Sequence, residues 1–225
     1  MNEPAFQVYG LGQSCLDYLG KAETYPPPDV KYEFTDMVIQ GGGPVATALV
    51  ALSRWGISCT FTGVLGDDQF GTLIKASLDE EGVDTSGILV REGSASQVAF
   101  ILAEPGVGRR TIFWHRPTGP PPGPDELNYN SIRTVEVFHT AGLFSEASFA
   151  AAKVAKEAGV KVVVAGGSLR EGMLDLARLS DYFLASETFS EALVGEGKPL
   201  DACHKLAELG PGVVGVTLGP RGYVA

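Results

Sequence analysis

The sequence predicts an α/β fold: a mainly parallel sheet covered by helices, with a small second sheet standing off one edge. Three observations lead there. Short apolar, β-rich runs alternate with Ala/Leu-rich runs of helical period, the pattern of a parallel sheet packed under helices. Two stretches, Leu16 to Gln40 and Gln97 to His115, break that rhythm and read as antiparallel ribbons. A hydrophobic content of 44% over 225 residues is enough for a substantial core in one domain.

In chain order, the first strand is expected over Ala5 to Gly10, and GLGQSC follows it at 10 to 15. This mimics the GxGxxG dinucleotide fingerprint, but Cys15 replaces the third glycine and LDYLG leads into a ribbon where a helix is needed. What remains is Asp17, a carboxylate just past the carboxyl end of a strand, where α/β proteins bind ligands. It can accept two adjacent hydroxyls, or act as a cap or surface charge. The first ribbon carries YPPPD and the alternating Lys31 to Thr35. Gly41, Gly42 and Gly43 then open a helix over Pro44 to Trp55, offering bare backbone N–H groups to an oxygen-rich ligand. A strand over Cys59 to Leu65 leads into Gly66-Asp67-Asp68-x-x-Gly71 and a helix over Phe70 to Glu81. That turn reads as a second device of the same kind.

The second ribbon joins VAFILAE to RTIFWH through PGVGR, and RPTGPPPGPD at 116 to 125 is a stiff connector back to the body. Strands follow over Val135 to Thr140, Val160 to Ala165, Tyr182 to Ala185 and Val213 to Thr217. Helices fit Glu146 to Ala158, Met173 to Leu179, Phe189 to Val194 and Ala202 to Leu209. The final VVGVTLGPRGYVA runs strand, glycine turn and the start of another strand, which a helix-covered sheet would leave unpaired. A fragment lacking its C-terminal part is the expectation.

Lys plus Arg number 17 against 27 Asp plus Glu, a net charge of -10, which repels nucleic acid and anionic membranes; neither is expected as a partner. Cys15, Cys59 and Cys203 lack ligand-like spacing and read as buried, reduced fillers. With no spanning run and no signal-like N-terminus, a cytoplasmic location is expected. GxxxxGK[ST], HExxH and GxSxG are absent. His139 is expected buried and hydrogen-bonded in its strand, and His204 on a solvated helix face.

These residues resemble the ribokinase, or PfkB, family of carbohydrate kinases. The features that carry the likeness are Gly10-x-Gly12 with Asp17, Gly41-Gly42 opening a helix, and Gly66-Asp67-Asp68-x-x-Gly71. EEGVDTSG at 80 to 87, GRRTI at 108 to 112, SDYFLASETF at 180 to 189 and TLGPRG at 217 to 222 complete it. GGGPVATA, with Ala46 where most members place asparagine, and Ala185-Ser186-Glu187 look most like the sulfofructose kinase branch. The resemblance implies a three-layer α/β/α ribokinase-like body with a β-sheet lid, and ATP-dependent phosphorylation of a sugar hydroxyl with Mg²⁺. It implies that Asp17, Gly41 and Gly42 hold the sugar and that Arg110 and Arg116 close over it. Thr217, Gly219 and Gly222 would match the nucleotide turn, with Ser186 close to the phosphates and Arg170 either there or in a surface ion pair. The lid segments, about 16–40 and 97–116, carry Tyr25, Tyr32, Phe34, Phe100, Phe113 and Trp114, and a homodimer through the lid is expected. The substrate is expected to be a furanose or open-chain keto-sugar derivative phosphorylated on a primary hydroxyl, with the two arginines hinting at an anionic substituent.

Besides Ala46, the chain departs from the family pattern in three places. The family's N-x-x-E reads Ser186-Glu187-Thr188-Phe189, and Ala165 stands where an aspartate usually ends the preceding strand. The glycine-rich GAGD anion hole with its catalytic aspartate would fall beyond Ala225. No catalytic base is therefore expected within this chain, no metal ligand is assigned, and residues 1–225 alone are expected to be inactive. A non-catalytic sugar- or nucleotide-binding sensor of the same fold is the alternative reading, and an oxidoreductase resting on GLGQSC alone is the third.

Overall fold

The computed structural model describes residues 5–225. Its main sheet takes β1 (Val8–Leu11), β4 (Cys59–Thr62), β9 (Val137–Thr140), β10 (Lys161–Gly166), β11 (Tyr182–Ser186), β12 (Val213–Thr217) and β13 (Tyr223–Val224). The spatial order is β13-β12-β11-β10-β9-β1-β4, parallel throughout except for β13, which runs antiparallel to β12. The terminal strand start is thus paired after all, with Val216 opposite Val224.

Helices lie on both faces. On one, α1 (Pro44–Arg54) and α2 (Gln69–Glu80) bury Val8, Leu49, Phe61, Ile74 and Leu78. On the other, α4 (Ser145–Glu157), α5 (Met173–Leu179), α6 (Glu187–Val194) and α7 (Pro199–Ala207) pack against Phe138, Val162, Val164, Phe183 and Val216. Among the described residues the α1/α2 layer covers the β4–β1–β9 side. Across β11 and β12 the same face presents Tyr182, Leu184 and Val213, each more than two-fifths exposed. Glycines explain how closely α1 sits: a Cβ on Gly10 or Gly12 would strike Leu49 or Val45. The GLGQSC glycines therefore serve helix–strand packing.

Two departures from the expected elements have local causes. The run Cys59 to Leu65 is broken at Gly63, where a Cβ would press on the Gly12 carbonyl and the Phe61 ring, and Gly63 O accepts from Leu89 N at 2.9 Å. The chain leaves the main sheet there, and β5 (Val64–Gly66) pairs with β6 (Leu89–Arg91). The sequence reading also missed α3 (Tyr129–Thr134), too short for a periodic signal and started by Asn128, whose side chain accepts from Ser131 N at 3.1 Å.

The second sheet has the order β3-β2-β7-β8, made of β2 (Cys15–Lys21), β3 (Asp36–Gly42), β7 (Val98–Glu104) and β8 (Arg109–His115). Each ribbon is antiparallel, and the two are joined by parallel pairing of β2 with β7. The alternating Lys31 to Thr35 is not a strand. That segment folds back along the sheet, with Phe34 over Gly20 and Tyr25 N donating to the buried Glu104 carboxylate at 3.1 Å.

Candidate active site at the root of the lid

The parallel order places the carboxyl ends of β1, β10, β11 and β12 along one edge, and β1 is the switch point, since β4 lies on one side of it and β9 on the other. The chain leaves β1 through Gly12-Gln13-Ser14 and becomes β2, so the second sheet, the expected lid, grows directly from that edge.

Asp17 lies within β2, two residues into the lid strand. Its ladder partners are Gln40 on β3 and Ala99 on β7, and Ala99 in turn faces Trp114 on β8. Paired residues share a sheet face and alternate along each strand, so Cys15, Asp17, Gly42, Gln40 and Trp114 lie on one face. Gly41 and Gly42 are the last residues of β3, laddered with Leu16 and Cys15; they do not open the helix. The helix cap is Gly43, at φ 102, with Pro44 at the first helical position. Gly42 is required sterically: a Cβ there would collide with the Asp17 carboxylate and lie 2.8 Å from Cys15 Sγ.

Cys15 is the residue that sequence reasoning missed. Its thiol donates to Asp17 Oδ1 at 3.0 Å, and burial first, then the neighbouring carboxylate, push its pKa up, so it remains a protonated donor. Nothing in its spacing signalled this; only the strand pairing brings it to Asp17. Gln13 and Gln97 hydrogen-bond to each other beside it. Ser14, equally buried, has no partner for its hydroxyl among the described residues.

Of the two lid arginines, Arg116 stacks over Trp114 with its guanidinium carbon 4.5 Å from the ring centroid, near the Asp17 rung. Arg110 pairs with Ala103, four rungs away, roughly 13 Å along the strand. The structure does not bring Arg110 to Asp17.

At the other end of the edge, Ser186 and Thr217 are ladder partners. Ser186 caps α6: its hydroxyl accepts from Phe189 N at 3.1 Å and donates to Gly167 O at 2.9 Å. Gly219 and Gly222 take φ 58 and φ 84 in the turn after β12, conformations that favour glycine. Arg221 from that turn pairs with Glu187. Arg170 is exposed in the turn between β10 and α5. Phe189, at the family's glutamate position, is fully buried, with its ring 5.4 Å from that of Phe183 and packed beside Gly166. Among the described residues no group of three or more His, Cys, Asp or Glu could hold a metal ion.

The Gly66-Asp67-Asp68 turn is not a second ligand device. Asp68 caps α2, accepting from Gly71 N at 2.8 Å, and takes Ser96 N at 2.9 Å, while Asp67 takes Gly93 N at 3.0 Å. Both carboxylates hold the segment that enters β7. His139 is buried with Nδ1 3.2 Å from Val163 O, and burial lowers its pKa; His204 is exposed on α7.

The pfkB family carbohydrate kinase profile matches residues 7–225. The chain belongs to the pfkB family of carbohydrate kinases. Among curated relatives, the probable fructokinase-3 of Arabidopsis thaliana is 38% identical over 125 residues, covering 52% of this chain and 36% of that protein. The 5-dehydro-2-deoxygluconokinase of Shouchella clausii (strain KSM-K16) is 31% identical over 166 residues, covering 70% of this chain and 50% of that protein. The chain thus spans half or less of the length of these two relatives. The ribokinase of Arabidopsis thaliana, solved with ribose and ATP, superposes with a TM-score of 0.75 at 20% identity, covering 99% of this chain and 74% of that one. The α/β body is thereby the ribokinase-like family fold, and the four-stranded second sheet is consistent with its lid. Among the described residues no helix is long and apolar enough to cross a membrane.

Proposed function

We propose that this pfkB chain binds a small sugar at the root of its lid and belongs to a kinase that transfers the γ-phosphoryl of ATP to a sugar hydroxyl. The observation that carries this is the juxtaposition of Asp17 and Gly42 on one lid face, at the carboxyl edge of the parallel sheet. A carboxylate beside an unobstructed strand end can take two hydroxyl donors of a furanose or open-chain keto-sugar. The named relatives, a fructokinase and a deoxygluconokinase, support that substrate class. Arg116, held by Trp114 near the same rung, favours a sugar with an anionic substituent; Arg110 lies too far along the sheet to share that role. Ser186, Thr217, Gly219 and Gly222, with Arg170 on the next turn, form the nucleotide end. ATP enters there with Mg²⁺, which this chain leaves mainly to the phosphates, as Mg²⁺ commonly uses few protein ligands. Asp17 is read as a sugar ligand, and no residue is assigned as the catalytic base.

We also propose a homodimer through the lid. On the face opposite Asp17 the rung Tyr18-Ile39-Phe100-Phe113 is apolar, and Ile39, Phe100 and Phe113 are each more than half exposed. A light-scattering mass of one chain at micromolar concentration would reject this.

The sugar reading is tested by thermal stabilisation of the purified protein with D-fructose, D-ribose and fructose 6-phosphate. Stabilisation of the wild type that disappears in Asp17→Ala supports it. An equal response in both, or none to any sugar, rejects it.

A further inference from the structure

We infer that Asp68 is a positioning residue for the lid: through Ser96 it fixes strand β7 against β2 and so sets the rung on which Asp17 sits. The inference concerns the apo protein's lid, and its bearing on sugar rests on the reading above.

The argument follows the hydrogen bonds. Asp68 stands at the N-cap of α2, an element of the rigid body, and its two oxygens do different things. Oδ1 accepts from Gly71 N at 2.8 Å, the ordinary capping bond; Oδ2 accepts from Ser96 N at 2.9 Å, which capping does not require. Ser96 is buried, and its hydroxyl accepts from Gly66 N at 2.9 Å, so both ends of Ser96 are tied to the same turn. The next residue, Gln97, accepts from Leu16 N at 3.1 Å and contacts Gln13 through its side chain. One residue further, Val98 begins the parallel ladder with Leu16, and Ala99 faces Asp17. The body thus reaches the sugar carboxylate's rung in four chain positions.

Register needs such a tie. A parallel pair is not set by a tight turn, and a slip of one residue would put Asp17 opposite a residue of the other face. Gly66 and Gly71 suit the same close approach: a Cβ on Gly66 would strike Ser94 and Ala95, and one on Gly71 would lie 2.8 Å from Ser96 Oγ. Burial raises the Asp68 pKa, but the bonds from Ser96 and Gly71 more than offset it, and the carboxyl stays below the usual range. The charge is therefore present at neutral pH to hold both donors.

The two oxygens can be separated by mutation. Asp68→Ser keeps a good cap for Gly71 N but is too short to reach Ser96 N, whereas Asp68→Ala removes both bonds. Amide hydrogen exchange on the apo protein, with melting temperature and D-fructose affinity measured alongside, reads each separately. In Asp68→Ser we expect α2 amides to exchange as in wild type and those of β2 and β7 to exchange roughly tenfold faster, the scale of one lost charge-assisted bond. D-fructose affinity should fall by a similar factor, and Asp68→Ala should add faster exchange in α2. Unchanged exchange in β2 and β7 of Asp68→Ser overturns the inference, as does loosening spread evenly over the body. A lid that loosens as expected in a protein that binds no sugar upholds the tie and counts against the sugar reading alone.

Discussion

Cys15 and Asp17, two residues apart on one lid strand, are joined by a thiol-to-carboxylate hydrogen bond of 3.0 Å. The thiol takes one acceptor site of Oδ1 and so fixes the carboxylate with Oδ2 against Gly42, leaving the remaining lone pairs of both oxygens for a ligand. Cys15→Ser keeps a donor and should retain sugar affinity to within a few-fold, while Cys15→Ala frees the carboxylate to rotate and should weaken binding by about 1 kcal/mol. Calorimetry with a stabilising sugar distinguishes them; identical affinities for both variants would remove the orienting role.

The three thiols should be silent in the native protein. Cys15, Cys59 and Cys203 are all buried, and burial pushes each pKa up, Cys59 to about 11. A colorimetric thiol reagent at pH 8 should therefore label almost nothing until denaturant is added, then all three. Rapid native labelling of any one would show that its pocket opens.

Gly42→Ala should abolish sugar binding at modest cost in stability. The new methyl meets the Asp17 carboxylate and Cys15 Sγ and must displace one of them, overpacking worth about 1–3 kcal/mol. A melting curve and a titration of the same sample test this. Wild-type affinity in Gly42→Ala would place the ligand elsewhere.

Restoring the family's glutamate by Phe189→Glu should destabilise the protein without creating a metal ligand. The side chain would replace a fully buried ring packed on Phe183, a loss of about 3–5 kcal/mol before the burial of a carboxylate is counted. A variant as stable as wild type, by denaturant unfolding, would show that the α6 terminus can rotate that position outward.

Acid should loosen the connector before the core. Arg91 donates to both oxygens of Glu126 and to the Pro120 and Pro121 carbonyls, and that guanidinium, with Gly123 N–H, lowers the Glu126 pKa to about 2. A depressed carboxylate stabilises above its unfolded pKa and loses that contribution as pH falls through the folded one. Stability should thus decline between about pH 4.5 and 2. Glu126→Gln should flatten that part of the melting-temperature profile; an unchanged slope would assign it to other carboxylates.

The alternation of apolar strands with amphipathic helices, the two ribbons and the glycine punctuation are local patterns, so the sequence alone determined the α/β class, both lid hairpins and the family. Residue type also marked Asp17 and Gly42 as site candidates. The tertiary structure decided what those residues do for one another. Gly41 and Gly42 belong to a lid strand because their backbone ladders with Cys15 and Leu16, a pairing across 26 or so positions that no local period encodes. Parallel pairing of β2 with β7 turned the Asp67-Asp68 turn from an apparent ligand device into the lid's anchor. Arg110 and Arg116, six residues apart, were separated by strand geometry, and Phe189 went into the core because α6, capped by Ser186, begins two residues earlier at Glu187. Composition and spacing report what a segment can form; which side chains then meet depends on register and face, set only when the sheets close.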